Sequence, residues 1–134
     1  MFDTLDIGTS GLIAQRTRMD VCAANIAGMA QTKDAQGRPI PYRRKYVEIA
    51  AGAAGDSSKA GVHVTGVKED QGPFIPQFMP GDPNADKNGY IYHTNVDLAI
   101  EQVNSLEASR AYEANVTMME TTKAMFNSSL RLIA

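Results

Sequence analysis

The sequence holds one cysteine, two histidines and a net charge of only -2, and these shortages exclude several classes of function before any motif is weighed. A lone Cys22 cannot form an internal disulfide, and its setting among Val21, Ala23 and Ala24 in a helical pattern makes it a small buried apolar residue rather than a nucleophile. Neither His63 nor His93 has a second His or Cys at metal-ligand spacing, so each reads as a surface or packing residue. The near-neutral charge gives no reason to expect nucleic acid or an acidic membrane surface. No apolar run approaches the length of a membrane-spanning helix. No basic leader precedes an apolar stretch, because Asp3 and Asp6 interrupt it early. The cytoplasm is then the default address, unless export uses a route that needs no cleaved signal. No nucleophile elbow, phosphate loop or dinucleotide fingerprint is present, so no catalytic residue and no cofactor is expected.

What is there lies mostly at the two ends. A chain of 134 residues is one domain's worth, with room for a modest core. From Val96 onward, Val96, Ile100, Val103, Ala111, Ala114, Met118, Met125 and Leu132 recur at mean helical spacing and line one side of a helix. Tyr112, Met119, Phe126 and Ile133 form a second row about one helical step around. One partner helix covers only a narrow seam, so the double row implies at least two neighbours. Glu101, Glu107, Arg110, Glu113, Glu120 and Lys123 read as charges spread through this helix, and its last turns are the most apolar, with no closing cap.

At the other end, Leu5, Leu12, Met19 and Ile26 fall on a regular heptad, with Phe2, Thr9, Arg16 and Ala23 in the companion positions. Gly8 and Gly11 each cost about 1 kcal/mol in a lone helix relative to Ala. With Ala14, Ala23, Ala24 and Ala27 they leave a smooth surface that lets another helix approach closely. The expected fold is mainly α: long N- and C-terminal helices packed as a coiled-coil pair around a small β-rich or irregular middle module. The corresponding boundaries are 1–32, 33–95 and 96–134. Large apolar residues at both extremities call for a partner to cover them.

Between the helices the character changes. Residues 33–41 are turn chemistry. Tyr42, Tyr46, Val47 and Ile49 suggest a strand, Val62, Val64, Thr65 and Val67 a second, and the prolines from Pro73 to Pro80 leave at most a short edge strand. Such a ribbon is marginal unless it leans on something. The cluster Arg43, Arg44 and Lys45 reads by default as a solvated strand face, with a phosphate or partner contact as the functional alternative. From Asp82 to Gly89 oxygen donors alternate as in a calcium loop. The register from Asp82 puts Lys87 where Gly is wanted and His93 where a bidentate Glu belongs, whereas the register from Asn84 keeps only one carboxylate. An Asx-rich turn before Tyr90 is therefore favoured, and no metal is assigned.

Three stretches carry a resemblance. The first runs from Gly11-Leu12-Ile13-Ala14-Gln15-Arg16 to Ala24-Asn25-Ile26-Ala27-Gly28-Met29-Ala30-Gln31-Thr32, the second combines Pro41-Tyr42-Arg43-Arg44-Lys45 with the 82–91 loop and Asn95-Val96-Asp97, and the third is Ser109-Arg110-Ala111-Tyr112-Glu113-Ala114-Asn115-Val116. In that order and over nearly the whole chain they resemble the bacterial flagellar rod and hook proteins, whose first helix ends in an Asn-Ile-Ala-Asn-x-x-x-Thr-like motif. Gly28 stands where that motif has its second Asn, and the expectation is that it ends the helix in a left-handed conformation.

The resemblance implies a structural subunit with no active site, polymerising through its terminal helices into the proximal part of a hollow drive shaft that transmits torque and passes export substrates. Its implied partners are other proximal and distal rod proteins, the adaptor at the rod base, further copies of itself and the flagellar type III export apparatus. Its implied place is a basal-body rod spanning the periplasm, reached without a cleaved signal. The expected subunit-packing residues are Leu5, Leu12, Met19 and Ile26 on the first helix and Met118, Met119, Met125, Phe126 and Leu132 on the second, with Asn25, Tyr112 and Asn115 added from the two motifs. The alternative reading is a soluble helical adaptor forming a closed homo-oligomeric bundle with a weak calcium-like loop.

Overall fold

The computed structural model describes residues 2–33, 37–52 and 60–133, and of Phe2, Asp3, Leu132 and Ile133 only the backbone. Helix α1 spans Phe2–Gly28 and helix α2 spans Leu98–Ile133. Gly8 lies against Met119, Gly11 against Asn115, Arg18 reaches Glu107 and Asn25 reaches Glu101, so the pair is antiparallel. The two long helices expected at the ends are therefore present, and they pack on each other within one chain.

The α1 seam is not the one that the heptad of large residues indicates. Leu5, Leu12, Met19 and Ile26 sit half-buried, one helical step to the side. The positions that face α2 are Gly8, Gly11, Arg18, Cys22 and Asn25, small or polar and themselves at alternating spacings of three, four and seven. A Cβ on Gly8 would stand 2.7 Å from Met119 Cγ, and one on Gly11 would stand 2.9 Å from Asn115 Nδ2. Missing side chains thus allow the close approach that the Gly and Ala content suggests, at the propensity cost noted above.

On α2 the two apolar rows part company. The second row, with Tyr112, Met119 and Phe126, follows the half-buried side toward α1, in line with Glu101 and Ala108. Of the first row Val96 is buried, but Ile100, Val103, Met118 and Met125 are exposed. The helix starts on a clear cap: Asp97 Oδ1 accepts from the amides of Ala99 and Ile100 at 2.8 and 3.3 Å.

Strands β1 (Lys45–Ala51) and β2 (Val62–Glu69) pair antiparallel with a bulge between Glu48 and Ile49, and both lean on α1. At the far end of this hairpin the Ser10 hydroxyl accepts from the Val62 amide at 3.2 Å. The expected edge strand does not join it. β3 (Ile75–Phe78) pairs instead with β4 (Tyr90–His93), a strand that the Asx-rich loop hid from sequence reading, in a separate two-stranded sheet. Among the described residues the buried apolar set is only Ala14, Cys22, Ile91, Val96 and Ala108, while large apolar side chains are exposed on every element. So small a core leaves the elements to be joined by something else.

Candidate functional site

What joins them is a buried polar node where α1, the start of β1 and the start of α2 meet. Asn25, 0% exposed, uses its whole hydrogen-bonding capacity within the chain. Its Nδ2 donates to Lys45 O at 2.8 Å and to Glu101 Oε2 at 2.9 Å, and its Oδ1 accepts from the Lys45 amide at 2.9 Å and from the Tyr42 hydroxyl at 3.2 Å. The other oxygen of Glu101 accepts from Arg44 Nε at 2.8 Å. Arg44 Nη1 lies 3.5 Å from Asp70 Oδ2, and the Arg44 amide donates to Asn95 Oδ1 at 2.8 Å. Five parts of the chain are thereby tied at one point.

Two expectations change here. Glu101, which reads in sequence as one of many surface charges, is 1% exposed and is the anion that Asn25 and Arg44 share. The basic cluster is not a solvated face. Arg43 Nη1 donates to the carbonyls of Asp70 and Gly72 at 2.9 and 3.1 Å and its guanidinium stacks 4.4 Å over Phe74, while Arg44 serves the node. Sequence periodicity missed these roles because a buried ion pair carries no pattern of its own; it depends on what stands opposite. Asn25 is likewise an internal anchor, with no donor or lone pair left to offer a neighbouring subunit.

The electrostatics agree with the geometry. Burial alone would lower the Arg44 pKa, but the hydrogen bond and charge of Glu101 outweigh it and hold the guanidinium above its ordinary value. Burial pushes the Tyr42 hydroxyl up, with help from Glu69 and Glu101. Burial, then the charge and hydrogen bond of Glu101, raise the Cys22 thiol from 9.0 to about 11. The stability that this thiol contributes is complete below pH 9 and is lost as pH rises toward 11. Accordingly, Cys22 of the native chain should react with a thiol reagent at pH 8 far more slowly than it does in denaturant; equal rates would place it outside the node.

Gly28 contradicts the left-handed cap expected of it, since it is not among the residues with positive φ. Its missing side chain makes room for Tyr42, whose ring a Cβ would meet at 2.6 Å. The helix closes through ordinary turn bonds, from the Met29 amide to Ile26 O and from the Gln31 amide to Gly28 O. Gly28→Ala should therefore displace Tyr42 and lower stability by about 1–3 kcal/mol, the usual cost of overpacking. A thermal melt reads this directly, and an unchanged midpoint would contradict the contact.

The calcium-like loop is a β3–β4 connection that spends its carboxylates on its own backbone. Asp82 Oδ1 accepts from the Asn84 amide at 2.8 Å, and Asp86 Oδ1 accepts from the amides of Asn88 and Tyr90 at 2.8 and 3.0 Å. Gly89 takes φ +81, a left-handed turn against Phe78 and Pro80 that a larger residue would strain. Of the two histidines, His63 Nδ1 lies 2.9 Å from Gly52 O, and His93 Nε2 is buried.

The remaining expected packing residues divide by what covers them. Asn115 and Met119 fill the hollows left by Gly11 and Gly8, Tyr112 stands in line with them at helical spacing, and Tyr112 and Phe126 are both half-buried. Met118 touches the Gly8 hollow with its terminal methyl yet is 39% exposed, and Met125 is 67% exposed. The side chain of Leu132 lies outside the described residues. Ile100, Val103, Met118 and Met125 are spread over roughly 38 Å of α2 at 1.5 Å per residue, exposed on a flank of the helix that meets the edge of the α1 seam at Met118. Large apolar side chains left in water over such a length are the kind of surface that interfaces cover.

Comparison with known proteins shows the family. Residues 5–29 match the family described as flagella basal body rod protein, and residues 87–132 match the C-terminal region of the flagellar basal body rod FlgEFG proteins. The flagellar basal-body rod protein FlgC of Salmonella typhimurium is 39% identical over 132 residues, covering 98% of this chain and 97% of that protein. Its namesakes from Bacillus subtilis and Borreliella burgdorferi are 37% and 33% identical over 145 and 150 residues, covering 98% and 99% of this chain and 97% of each relative. With most of each helix inside the matched regions and the likeness running nearly the length of the chain, this protein belongs to the FlgC family of flagellar basal-body rod proteins, structural subunits of the rod.

Proposed function

We propose that this rod subunit polymerises through α2, using the outward row of Ile100, Val103, Met118 and Met125 as the contact between copies and with other rod proteins. The observation that carries the reading is the exposure of this row while Met119, of the second row, already fills the hollow that Gly8 leaves in α1. One row closes the hairpin of helices and the other remains for a neighbour, which gives each subunit a rigid strut and an adhesive edge. Contacts between unlike surfaces extend without closing, as a shaft requires. Leu5, Leu12, Met19 and Ile26, flanking the seam, supply half-buried apolar surface for a second neighbour.

In this reading the chain carries torque and lines a passage for export substrates, with no catalytic step. Its partners are proximal and distal rod proteins, the rod-base adaptor and the flagellar type III apparatus, which exports it without a cleaved signal to a rod spanning the periplasm. The adaptor alternative needs a closed bundle and a calcium-sensitive loop, yet Asp82 and Asp86 are turned to backbone amides.

Isolated and dilute, the chain should run as a monomer whose amides exchange slowly near Asn25 and Glu101 and rapidly beyond residue 126, where residues 127–131 are all exposed. A stable oligomer at low concentration that tightens with calcium would overturn the reading in favour of the bundle.

A further inference from the structure

Asn88 is the one asparagine of the chain that precedes a glycine, and the pair Asn88-Gly89 lies in the loop that joins β3 to β4. It is exposed, and its side-chain amide makes no hydrogen bond among the described residues. The other asparagines are better held. Asn25 is locked in the node, Asn84 Nδ2 donates to Asp82 Oδ1 at 3.0 Å, and Asn95 Oδ1 accepts from the Arg44 amide at 2.8 Å. Asn104, Asn115 and Asn127 lie within α2, where the amide that follows each is committed to the helical ladder. Gly89 takes φ +81 and has no side chain to crowd its nitrogen.

We infer that Asn88 is a site of spontaneous deamidation, and that its β-linked product unfastens the β3–β4 hairpin. The Gly89 main-chain nitrogen gives up its proton to solvent base and attacks Asn88 Cγ. The Cγ–Nδ2 bond breaks, and the side-chain nitrogen takes a proton from solvent and leaves as ammonia, closing a cyclic imide. Water then opens the ring. Addition at Cγ leaves aspartate, whereas addition at the main-chain carbonyl carbon leaves isoaspartate, in which the chain continues through the former side chain. One water is consumed and one ammonia released, with nothing oxidised or reduced. The inference goes beyond the rod reading and holds whichever surface joins the copies.

Local geometry sets both the rate and the consequence. The Gly89 amide donates to Asp86 O at 3.0 Å, so this turn bond must open before the nitrogen can attack. Opening costs little, because β3 and β4 pair only with each other and rest on no helix among the described residues. Three further bonds bracket Asn88: the Met79 amide donates to Gly89 O at 2.9 Å, the Asp86 amide to Tyr90 O at 2.9 Å, and the Tyr90 amide to Asp86 Oδ1 at 3.0 Å. Together they set the register that pairs Phe78 with Tyr90. Isoaspartate inserts an extra carbon into the main chain inside this bracket, so the bonds on its two sides no longer close together. Aspartate adds only its charge, beside Asp86 and Lys87, and leaves the path of the chain unchanged.

Ageing the full-length chain in mildly alkaline buffer tests this, with peptic digestion in acid and mass spectrometry to place and count the conversions. Asn88 should convert several-fold faster than Asn84 or Asn95, the other asparagines outside helices and strands that follow the first helix, and several-fold more slowly than it does in denaturant, where the turn bond is gone. Asn88→Gln should abolish the fast conversion. Ion exchange then separates the aged forms for hydrogen exchange. The isoaspartate form should exchange the Met79 and Tyr90 amides several-fold faster than the parent, while Asn88→Asp keeps their protection. Conversion at Asn88 no faster than at Asn84 and Asn95 would overturn the site. An isoaspartate form with parental protection, or an equal loss of protection in Asn88→Asp, would overturn the unfastening by the lengthened main chain.

Discussion

Glu101→Ala should lower the stability of the folded chain by about 3–5 kcal/mol, the cost of leaving one member of a buried pair uncompensated. The reason lies in its partners. Arg44 Nε and Asn25 Nδ2 both donate to this carboxylate; fully buried Asn25 has no water to turn to in its absence, and Arg44, 24% exposed, has only partial access to it. With so few buried apolar residues, that loss is a large share of the typical 5–15 kcal/mol margin of a domain. Asn25→Asp tests the same node from the other side. It would place a second carboxylate 2.9 Å from Glu101 Oε2 and delete two donated bonds. Two carboxylates so close cannot both ionise, so one is held protonated with a raised pKa. Stability in this variant is present at low pH and lost as pH rises through that raised value, opposite to the acid lability of an ordinary salt-bridged carboxylate. Thermal melts followed by circular dichroism across pH read both variants. A Glu101→Ala chain that melts with the parent, or an Asn25→Asp chain that gains stability on raising the pH, would show that the node does not hold the fold together.

Met118→Asp combined with Met125→Asp should abolish rod assembly and swimming while the isolated chain keeps its fold. Met125 is 67% exposed, where a surface change usually moves stability by no more than about 0.5 kcal/mol, and Met118, 39% exposed with its terminal methyl against the Gly8 hollow, costs the isolated chain more without unfolding it. In a packed interface the balance differs. Burial of each apolar side chain contributes roughly 1.5–3 kcal/mol, and an unpaired carboxylate there adds its own desolvation cost. Losing more than about 3 kcal/mol at every contact weakens each by over a hundredfold, and a polymer multiplies the defect along its length. Measurements of export, circular dichroism and motility separate the steps: normal export and helicity with no swimming is expected. Normal swimming would end the case for the α2 row as the contact surface. Phe126→Asp is the contrasting variant, because Phe126 is half-buried in the single chain and a charge there also costs the folded chain stability.

Much of the architecture is legible from patterning. Both helices follow from periodicity, and the β1–β2 hairpin follows from alternation between turn-rich segments. The separation of β3 and β4 does not, since Pro73, Pro76 and Pro80 suppress the strand signal and the pairing partner lies beyond an eleven-residue loop, 79–89. The surfaces divide in the same way. Two apolar rows on α2 are visible as rows, but which one α1 takes is fixed by the hollows at Gly8 and Gly11, where Met119 and Asn115 fit. Large side chains at Leu5, Leu12, Met19 and Ile26 draw attention to themselves, whereas the true seam is made by residues too small or too polar to register as core.

By itself, then, the sequence determined that two long helices bracket a turn-rich ribbon and that their apolar surface exceeds what one short chain can bury, because hydrophobic periodicity depends only on the order of residues. Only the tertiary structure decided that Asn25, Arg44 and Glu101 are the joint, that Gly28 is a seat for Tyr42, and which α2 row stays open. Those properties belong to pairs of residues 14 to 111 positions apart, and a buried charge is stable or ruinous according to the partner that folding places beside it.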